Sequence, residues 1–388
     1  MKFAIIGAGI AGTAAAFEIA RHGGRAAVFH DLTGSSGLYS GALDLEPWNL
    51  DDHTRAFPGE LLEFSTALGA WELGVVPRRV ATLEGNVRPA RGSDLALLDL
   101  ERCAGKRVAV VDLERDDWDA PLLAKSLASS AWARQSQTQF FAVPVAALQK
   151  GFERRISGYD FAALHDAPER AAALERALRE SNVSADAWLF GPWLGIARPL
   201  AKELSDALGV PVGETSSAPG GAAGARFEQA RDRLLASTAD VTRAHLTSIE
   251  REGSGYRLQW RDRAPEDFSV VVLATGGVAA GGVALERSFE RRGGTGFRLS
   301  FDAPIALELD GEVVEGVSSL ANLDFAERGL NTLLEVGIGT QGDGSLPANP
   351  GIFVAGDAIA GRPRTALIAA DSGLRAARTA LDYARRTS

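Results

Sequence analysis

Short apolar runs alternate with glycine turns at the start of the chain. Residues 2–6 form a short run that is apolar after Lys2, as in a buried strand, and a turn of glycine and small residues follows at 7–12. Residues 13–22 then have the composition of a helix, which the next two glycines end, and Ala26–His30 has the pattern of a second strand. Strand, turn, helix and strand within about 30 residues predict a βαβ unit.

The remaining pattern predicts further alternation of strands and helices. In the middle of the chain the predicted elements are a strand at Arg107–Asp112, a helix at 169–180, a strand at Ala187–Phe190, a helix at 199–208 ended by Gly209, a loop at 216–224 and a helix at 225–236. Towards the end they are a hairpin of strands at 242–250 and 256–260, a strand at 269–273 that runs into Ala274–Thr275–Gly276–Gly277, a strand at 351–355 followed by Gly356–Asp357, and a long final helix.

These pieces predict an α/β fold in which a nucleotide-binding domain is discontinuous in sequence. We assign residues 1–75, 226–285 and 341–388 to that domain. The inserted α/β substrate domain would then comprise residues 76–225, with a further segment at 286–340.

Composition narrows the class of protein. Of 388 residues, 46% are apolar and 23% are charged, as in a soluble globular protein. The net charge of -9 disfavours a nucleic-acid partner, which would require a basic face. Cys103 is the only cysteine, so the chain can form no internal disulfide and no four-cysteine iron–sulfur cluster of its own, and a reducing cytoplasm is expected.

Two apolar stretches resemble membrane signals only superficially. Residues 1–20 carry three glycines and Glu18, which argues against a signal peptide. Residues 269–285 carry four glycines and are better explained as a strand and a turn. We therefore expect no integral membrane segment.

The first turn has the spacing GxGxxG. Its first glycine permits the turn, its second lets a pyrophosphate approach the backbone, and its third lets helix and strand pack closely. The helix N-terminus that follows offers free N–H groups to phosphate. Its position between a strand and a helix favours nucleotide binding over a plain turn, and it assigns these residues to a cofactor: Gly7, Ala8, Gly9, Ile10, Ala11 and Gly12.

The acidic residue that usually holds an adenosine ribose is displaced in this sequence. His30 ends the second strand and Asp31 follows it. A histidine can bond a hydroxyl, but a carboxylate does so better. Asp31 either reaches the ribose or only caps the loop, and the sequence leaves both interpretations open.

Small residues follow directly after this strand. Glycines and short hydroxyl side chains let a loop lie against a phosphate or a flat ring, although a surface loop has the same composition. Their position favours a ligand, and we assign Ser35, Ser36, Gly37, Ser40 and Gly41 to the cofactor.

Gly356 and Asp357 are predicted to end the last strand and to open the last helix. The aspartate can accept from a ribityl hydroxyl, and the helix N-terminus can stabilise negative charge on a reduced flavin. A dinucleotide turn at one end of the chain and Gly–Asp at the other distinguish an FAD protein from a simple NAD dehydrogenase. Four more residues are assigned to the same cofactor: Ala274, Thr275, Gly276 and Ala366.

The sequence resembles the anaerobic glycerol-3-phosphate dehydrogenase B-subunit family, within the fumarate reductase-like flavoproteins. The matching segments are GAGIAG at 7–12, SSGLYSGALDL at 35–45, LATGGVAAGGVALER at 273–287 and IFVAGDAIAG at 352–361. The chain departs from the family pattern at His30, where an acidic residue is usual, and at 362–366, where RPRTA replaces a glycine-rich run.

The resemblance implies flavin-linked oxidation of sn-glycerol 3-phosphate to dihydroxyacetone phosphate. Electrons would pass to an iron–sulfur partner and then to quinone, which would hold the chain at the periphery of the inner membrane. Because another subunit of the family complex also carries dehydrogenase function, the substrate stays open. The flavin could also be FMN.

Candidate catalytic and substrate-binding residues are less specific. None of the five histidines, His22, His30, His53, His165 and His245, lies in a motif. The guanidinium fork suits a substrate phosphate, and the arginines next to glycine motifs are Arg362, Arg364, Arg226 and Arg298, for each of which a solvated surface role is the alternative. The run Glu290, Arg291 and Arg292 is interpreted as a solvated face.

We therefore expect a Rossmann-type FAD domain and a flavin-dependent dehydrogenase of a small hydroxy compound. Two alternatives stay open. One is another flavin enzyme, such as an amine oxidase or an oxidase that uses oxygen. The other is a non-catalytic flavin-binding subunit that relays electrons.

Overall fold

The computed structural model describes residues 1–31, 34–43, 56–288, 294–314, 333 and 335–387. Three features named above lie outside the described residues: His53, the run from Glu290 to Arg292, and residues 44–45 of the serine–glycine motif.

The chain divides into two compact units. Unit 1 comprises Met1–Ser36, Pro58–Ala67 and Arg231–Ser388, and unit 2 comprises Gly37–Phe57 and Leu68–Ala230. Unit 1 is thus assembled from three separate segments of the chain.

A parallel five-stranded sheet is the centre of unit 1. Its strands are β1 (Phe3–Ile6), β2 (Ala26–His30), β10 (Ala239–Arg243), β14 (Val270–Leu273) and β20 (Ile352–Val354). They lie in the order β10–β2–β1–β14–β20, and all neighbours are parallel. Every residue of β1 and β14 is buried, as expected for parallel strands covered on both faces. The predicted α/β, Rossmann-type fold class is confirmed.

Two helices of unit 1, α1 (Ile10–Arg21) and α9 (Ala366–Thr387), pack beside this sheet. Helix α2 (Gly59–Leu68) contacts both of them, through Phe64 on Phe17 and Glu60 with Arg378. Gly373 in the middle of α9 lies against the carbonyl of Ala11 in α1, where a β-carbon would overlap that carbonyl. Glycine is therefore required at this crossing because two helix backbones meet there.

Smaller antiparallel sheets complete unit 1. One contains β11 (Leu246–Glu252), β12 (Gly255–Trp260) and β13 (Glu266–Phe268). The others contain β15 (Val283–Ser288) with β16 (Gly294–Leu299), and β17 (Leu307–Leu309) with β18 (Glu312–Val314) and β19 (Gly337–Ile338). The single strand predicted at 242–250 is wrong, because β10 joins the parallel sheet and β11 begins a separate hairpin.

Unit 2 contains a second parallel sheet. Its strands β6 (Arg107–Asp112), β7 (Gln139–Pro144), β8 (Ala187–Phe190) and β9 (Val212–Glu214) lie in the order β7–β6–β8–β9. The helices numbered with them are α3 (Ala120–Ser129), α4 (Ala131–Ser136), α5 (Gly158–Leu164), α6 (Pro168–Glu180), α7 (Leu200–Leu208) and α8 (Ala222–Thr238), and α8 continues into unit 1 after Ala230. An antiparallel sheet of β3 (Ala42–Leu43), β5 (Val87–Asp94) and β4 (Trp71–Ala81) completes this unit.

No described helix is both long enough and apolar enough to span a bilayer.

Candidate functional site

The order of strands in unit 1 identifies one crevice. The chain leaves β1 towards β2 and β10 on one side, whereas β14 and β20 lie on the other side. Ligands of open α/β sheets bind at such a reversal, outside the carboxyl ends of the strands. The turns that follow β1 and β14 meet at this edge, so the sequence-predicted residues 7–12 and 274–276 come together.

The glycines of the first turn are required by close backbone contacts. Gly7 has φ +110°, and a β-carbon there would overlap the carbonyl oxygen of Ala274. A β-carbon on Gly12 would overlap the carbonyl of Gly7, so only glycine lets α1 begin this close to the turn.

Gly9 differs from these two glycines because no backbone atom of the described residues lies close to its side. Among those residues, the only atom within 4 Å of a β-carbon at this position would be the Ser36 hydroxyl, at 2.9 Å. Gly9 is the N-cap of α1 and no side chain caps the helix there, although the Ile10 N–H donates to Ser36 Oγ at 3.0 Å. A helix N-terminus whose N-cap residue has no side chain, beside space that no described residue fills, suits a phosphate group.

Thr275 adds a polar group to the same edge. Its Oγ1 is buried and has no hydrogen-bond partner among the residues that the structure describes. A buried hydroxyl without a hydrogen-bond partner raises the free energy of the folded protein. A ligand that forms a hydrogen bond with it would remove this cost. The open glycine turn and this hydroxyl both fit a dinucleotide.

Gly356 and Asp357 form a short 3₁₀ turn after β20. Gly356 has φ +69°, and its N–H donates to Ser372 Oγ at 2.8 Å. Ser35 Oγ donates to Asp357 Oδ2 at 3.4 Å, so the serine–glycine motif and the Gly–Asp motif meet in unit 1. Burial raises the pKa of the Asp357 carboxyl.

The prediction that Gly356–Asp357 opens the final helix is wrong. Helix α9 begins at Ala366, and the intervening segment is held in extended contact with another strand. Ile359 bridges Ile338, and the Ala360 N–H donates to the Ile338 carbonyl at 3.0 Å. Because these backbone groups are used across the sheet, the segment cannot become helical before Ala366.

Arg364 is anchored beside these turns. Its NH1 donates to the Asp357 carbonyl at 2.7 Å and its NH2 to the Val336 carbonyl at 2.6 Å. The guanidinium lies over Gly277, at the place a β-carbon would take. Burial lowers the pKa of Arg364. Arg362 is half-buried, and the hydrogen bond that it donates among the described residues is a long one, of 3.3 Å, to the Gly342 carbonyl.

The structure places Arg226 in unit 2, in a buried ionic cluster. Its guanidinium donates to Asp94 at 2.9 and 3.2 Å, to Glu214 Oε2 at 2.6 Å and to the Gly195 carbonyl at 2.7 Å. Burial works against its charge, but Asp94 and Glu214 outweigh this and raise the pKa of Arg226. Burial also raises the pKa of Glu214, to about 7. This arrangement favours a structural role over substrate binding.

The small residues at 37–41 also belong to unit 2. The Gly220 N–H donates to the Gly37 carbonyl and the Ser217 N–H to the Ser40 carbonyl, at 3.2 and 2.8 Å. A β-carbon on Gly224 would overlap the Gly37 carbonyl. Within this unit the two glycine-rich stretches of the sequence therefore pack on each other, which explains their small residues without a ligand.

A second crevice, at the carboxyl edge of the unit 2 sheet, is filled by protein. Arg115 follows β6, and its guanidinium lies over the rings of Phe161 and Trp193, at 4.6 and 5.1 Å from their centroids. It also donates to the carbonyls of Glu153 and Ile156 and to Asp117. The Arg115 side chain thus occupies the place where such sheets bind nucleotides.

Three of the described histidines contact other groups of the protein, and His30 is the last residue of β2. His22 Nδ1 contacts the Glu18 carbonyl, at 3.0 Å, and His165 is buried in unit 2 with Nδ1 2.7 Å from the Trp193 carbonyl. His245 contacts Asp31, at 2.6 Å. Among the described residues no cluster of histidine, cysteine and carboxylate side chains could hold a metal ion.

Sequence reasoning missed three residues that shape the site. Ser372 fixes the Gly356 N–H, Gly373 lets α9 approach α1, and His245 contacts Asp31. A glycine in the middle of a helical pattern was the one available signal, because it is unfavourable there unless backbones approach closely.

Comparisons with known proteins find only distant likeness. No protein-family model matches the chain, and no curated protein matches it. Among solved structures it is similar to the Diels-Alderase PyrE3 from the biosynthetic pathway of pyrroindomycins, at 11% identity and a TM-score of 0.35, over 99% of this chain and 66%, just under two thirds, of that one. It is also similar to the GidA-related protein from Thermus thermophilus, at 12% identity and a TM-score of 0.35, over 98% of each chain. A third is glycine oxidase from Geobacillus kaustophilus, at 14% identity and a TM-score of 0.36, over 98% and 94%. Likenesses this weak do not bear on activity.

Proposed function

We propose that this protein is an FAD-dependent oxidoreductase. The observation that carries the proposal is the crevice of unit 1. There the N-terminus of α1 at Gly9 borders space that no described residue fills, and the buried Thr275 hydroxyl lacks a partner among the described residues. These features suit a ligand with a pyrophosphate and hydroxyl groups.

Different residues of the crevice would bind different parts of the cofactor. The turn from Gly7 to Gly12 and the first N–H groups of α1 would bind the pyrophosphate, with Ser36 beside it. Asp357 and Thr275 would bond hydroxyls of the ribityl chain. The N-terminus of α9, at Ala366, would favour negative charge on the reduced ring. When bound, FAD supplies an acceptor for two electrons.

The absorbance spectrum of the purified protein tests this cofactor. We expect a yellow protein that releases FAD on denaturation, identified by mass. A colourless protein that gains no flavin on incubation with FAD, or one that releases NAD alone, would contradict the proposal.

We propose a small hydroxy compound, glycerol 3-phosphate in the first place, as the substrate. The support is the resemblance to the glycerol-3-phosphate dehydrogenase family. Oxidation removes two electrons and two protons from a carbinol and leaves a carbonyl, and the electrons would pass through the flavin to an iron–sulfur partner. Arg362 is the better candidate for the substrate phosphate, because Arg364 already donates to two backbone carbonyls.

Steady-state kinetics of Arg362→Ala tests this role. Loss of a charge-assisted hydrogen bond of about 1.5–3 kcal/mol should raise KM roughly 10- to 150-fold, with flavin content unchanged. Arg364→Ala is the matched variant, and it should lower thermal stability because two carbonyls lose their donor. An unchanged KM for Arg362→Ala would remove the phosphate assignment.

A non-catalytic electron-relay subunit is the second candidate. Among the described residues His22, His165 and His245 are engaged elsewhere, and Arg226 is buried in its ionic cluster. Anaerobic addition of glycerol 3-phosphate distinguishes the two candidates. Bleaching of the flavin supports the dehydrogenase, whereas no bleaching together with stable binding to a cluster-bearing protein supports the relay.

A further inference from the structure

A chain of three polar side chains lies at the carboxyl end of β2 in unit 1. Asp31 follows β2 directly, and His245 follows the neighbouring strand β10. Asp31 Oδ2 lies 2.6 Å from His245 Nδ1, and Arg261 NH2 lies 2.8 Å from His245 Nε2. The backbone holds the two strand ends together, since the Ala244 N–H donates to the His30 carbonyl at 2.9 Å.

The chemistry of arginine fixes the tautomer of this histidine. A guanidinium can only donate, so His245 Nε2 must accept from Arg261. The imidazole proton is therefore on Nδ1, from which it donates to Asp31. The hydrogen bond that His245 donates to Asp31 holds the pKa of the Asp31 carboxyl below its ordinary value.

One side of the Asp31 carboxylate stays available. Oδ2 is used by His245, whereas Oδ1 accepts from no described residue, and 38% of the side chain is exposed. Arg243 and Arg261 both lower the pKa of Asp31 through their charge, so the carboxylate sits in a positive surrounding. An ionised acceptor at the end of the second strand suits the hydroxyls of an adenosine ribose.

We propose that His245, held by Arg261, positions Asp31 to bind the adenosine ribose of FAD, and that this contact makes the site select FAD over FMN. The inference rests on the proposed function. Asp31 takes the place of the carboxylate that is absent at His30. Only FAD has an adenosine half, so the contact contributes nothing to FMN.

Titration of the apoprotein with FAD and with FMN, followed by flavin fluorescence, tests the proposal. Asp31→Ala should weaken FAD about 10-fold or more and leave FMN unchanged, because a hydrogen bond to a charged group is lost. His245→Leu removes the donor to Asp31 and should weaken FAD in the same direction. His245→Asn keeps an N–H donor near the position of Nδ1 and should restore FAD affinity.

The ion pair between Arg25 and Asp240 provides a matched control. It joins the same two strands at their opposite ends, with Arg25 Nε 2.8 Å from Asp240 Oδ1. Asp240→Asn should leave both flavin affinities unchanged. Arg261→Met is a further test of the hydrogen bonds that run from Arg261 through His245 to Asp31. It should weaken the binding of FAD without affecting the binding of FMN.

The outcomes distinguish failure of the proposed function from failure of the proposed contact between Asp31 and the ribose. Wild-type protein that binds neither flavin contradicts the proposed function. Wild-type protein that binds FAD, with an unchanged ratio of FAD to FMN affinity in both Asp31→Ala and Arg261→Met, overturns the ribose contact alone. Equal loss of both flavins in the Asp31 and Arg261 variants would mean that these residues only maintain the fold, and it would overturn the inference as well.

Discussion

Replacement of Arg226 by methionine distinguishes a buried structural arginine from a substrate ligand. The guanidinium donates to both oxygens of Asp94, to Glu214 and to the Gly195 carbonyl. Methionine keeps the volume but supplies no donor. Asp94 and Glu214 are 1% and 0% exposed, so neither can recover its hydrogen bonds from water.

The expected cost is large for a single substitution. Removal of one member of a buried ion pair destabilises a protein by about 3–5 kcal/mol. With an m-value of about 2–3 kcal/mol/M, the urea midpoint of unit 2 should fall by about 1–2 M. Trp118 and Trp193 are buried in unit 2, so tryptophan fluorescence reports this transition.

The pH dependence of the loss identifies its cause. Burial already raises the pKa of Glu214 to about 7, and without Arg226 it should rise further. A carboxyl whose pKa is higher in the folded than in the unfolded state loses stability as pH rises from about 4.5 towards the folded value. The penalty of Arg226→Met should therefore be smaller at pH 5 than at pH 8.

Two variants complete this experiment. Arg155→Met removes an exposed ion pair with Asp116 in the same unit, and it should change stability by less than about 1 kcal/mol. Glu214→Gln in the Arg226→Met background should recover part of the loss, since one buried charge is gone. A wild-type urea midpoint for Arg226→Met, together with a raised KM for glycerol 3-phosphate, would refute the structural interpretation and favour substrate binding.

Three further substitutions test the crevice, the helix crossing and a buried imidazole. Gly9→Val should abolish flavin retention in a folded protein because its side chain fills the open space beside α1, and wild-type flavin occupancy would refute a phosphate site there. Gly373→Val should destabilise unit 1 by about 1–3 kcal/mol or more, because its side chain overlaps the Ala11 carbonyl, and an unchanged melting temperature would contradict this. Burial lowers the pKa of His165 to about 4, so stability from this residue is lost as pH falls from about 6.5 towards 4. His165→Asn should lack that part of the acid destabilisation in urea titrations, and an identical pH profile would count against it.

The sequence predicts well those parts of the fold that local pattern determines. The bounds of Ala26–His30, Arg107–Asp112 and Ala187–Phe190 agree with the structure, because apolar runs between turn residues mark buried strands. The glycine turn is predicted in part for the same reason, because Gly12 meets the carbonyl of Gly7 five residues before it. The contact of Gly7 with Ala274 depends on the fold.

Features that depend on distant partners could not be predicted. The sequence pattern predicts one strand where β10 and β11 lie, because no local feature shows that Ala239–Arg243 pairs with Ala26–His30. The late start of α9 depends on a bridge between Ile359 and Ile338. Arg226 follows a glycine loop, as a phosphate ligand can, and only the fold brings Asp94 and Glu214 to it.

The connection of strands in unit 1 has a consequence for biosynthesis. Strand β1 can pair with β14 only after Leu273, the partner of Ile6, has been synthesised. Strand β14 can in turn pair with β20 only after β20 has been synthesised. The parallel sheet of unit 2, by contrast, is complete once Glu214 has left the ribosome. Because a chain emerges from its N-terminus, unit 2 can fold while the glycine turn is still exposed on an unfinished sheet. Capture of the proposed cofactor would then be a late event in maturation, and a ribosome stalled before Gly356 would carry a folded unit 2 beside an incomplete crevice of unit 1.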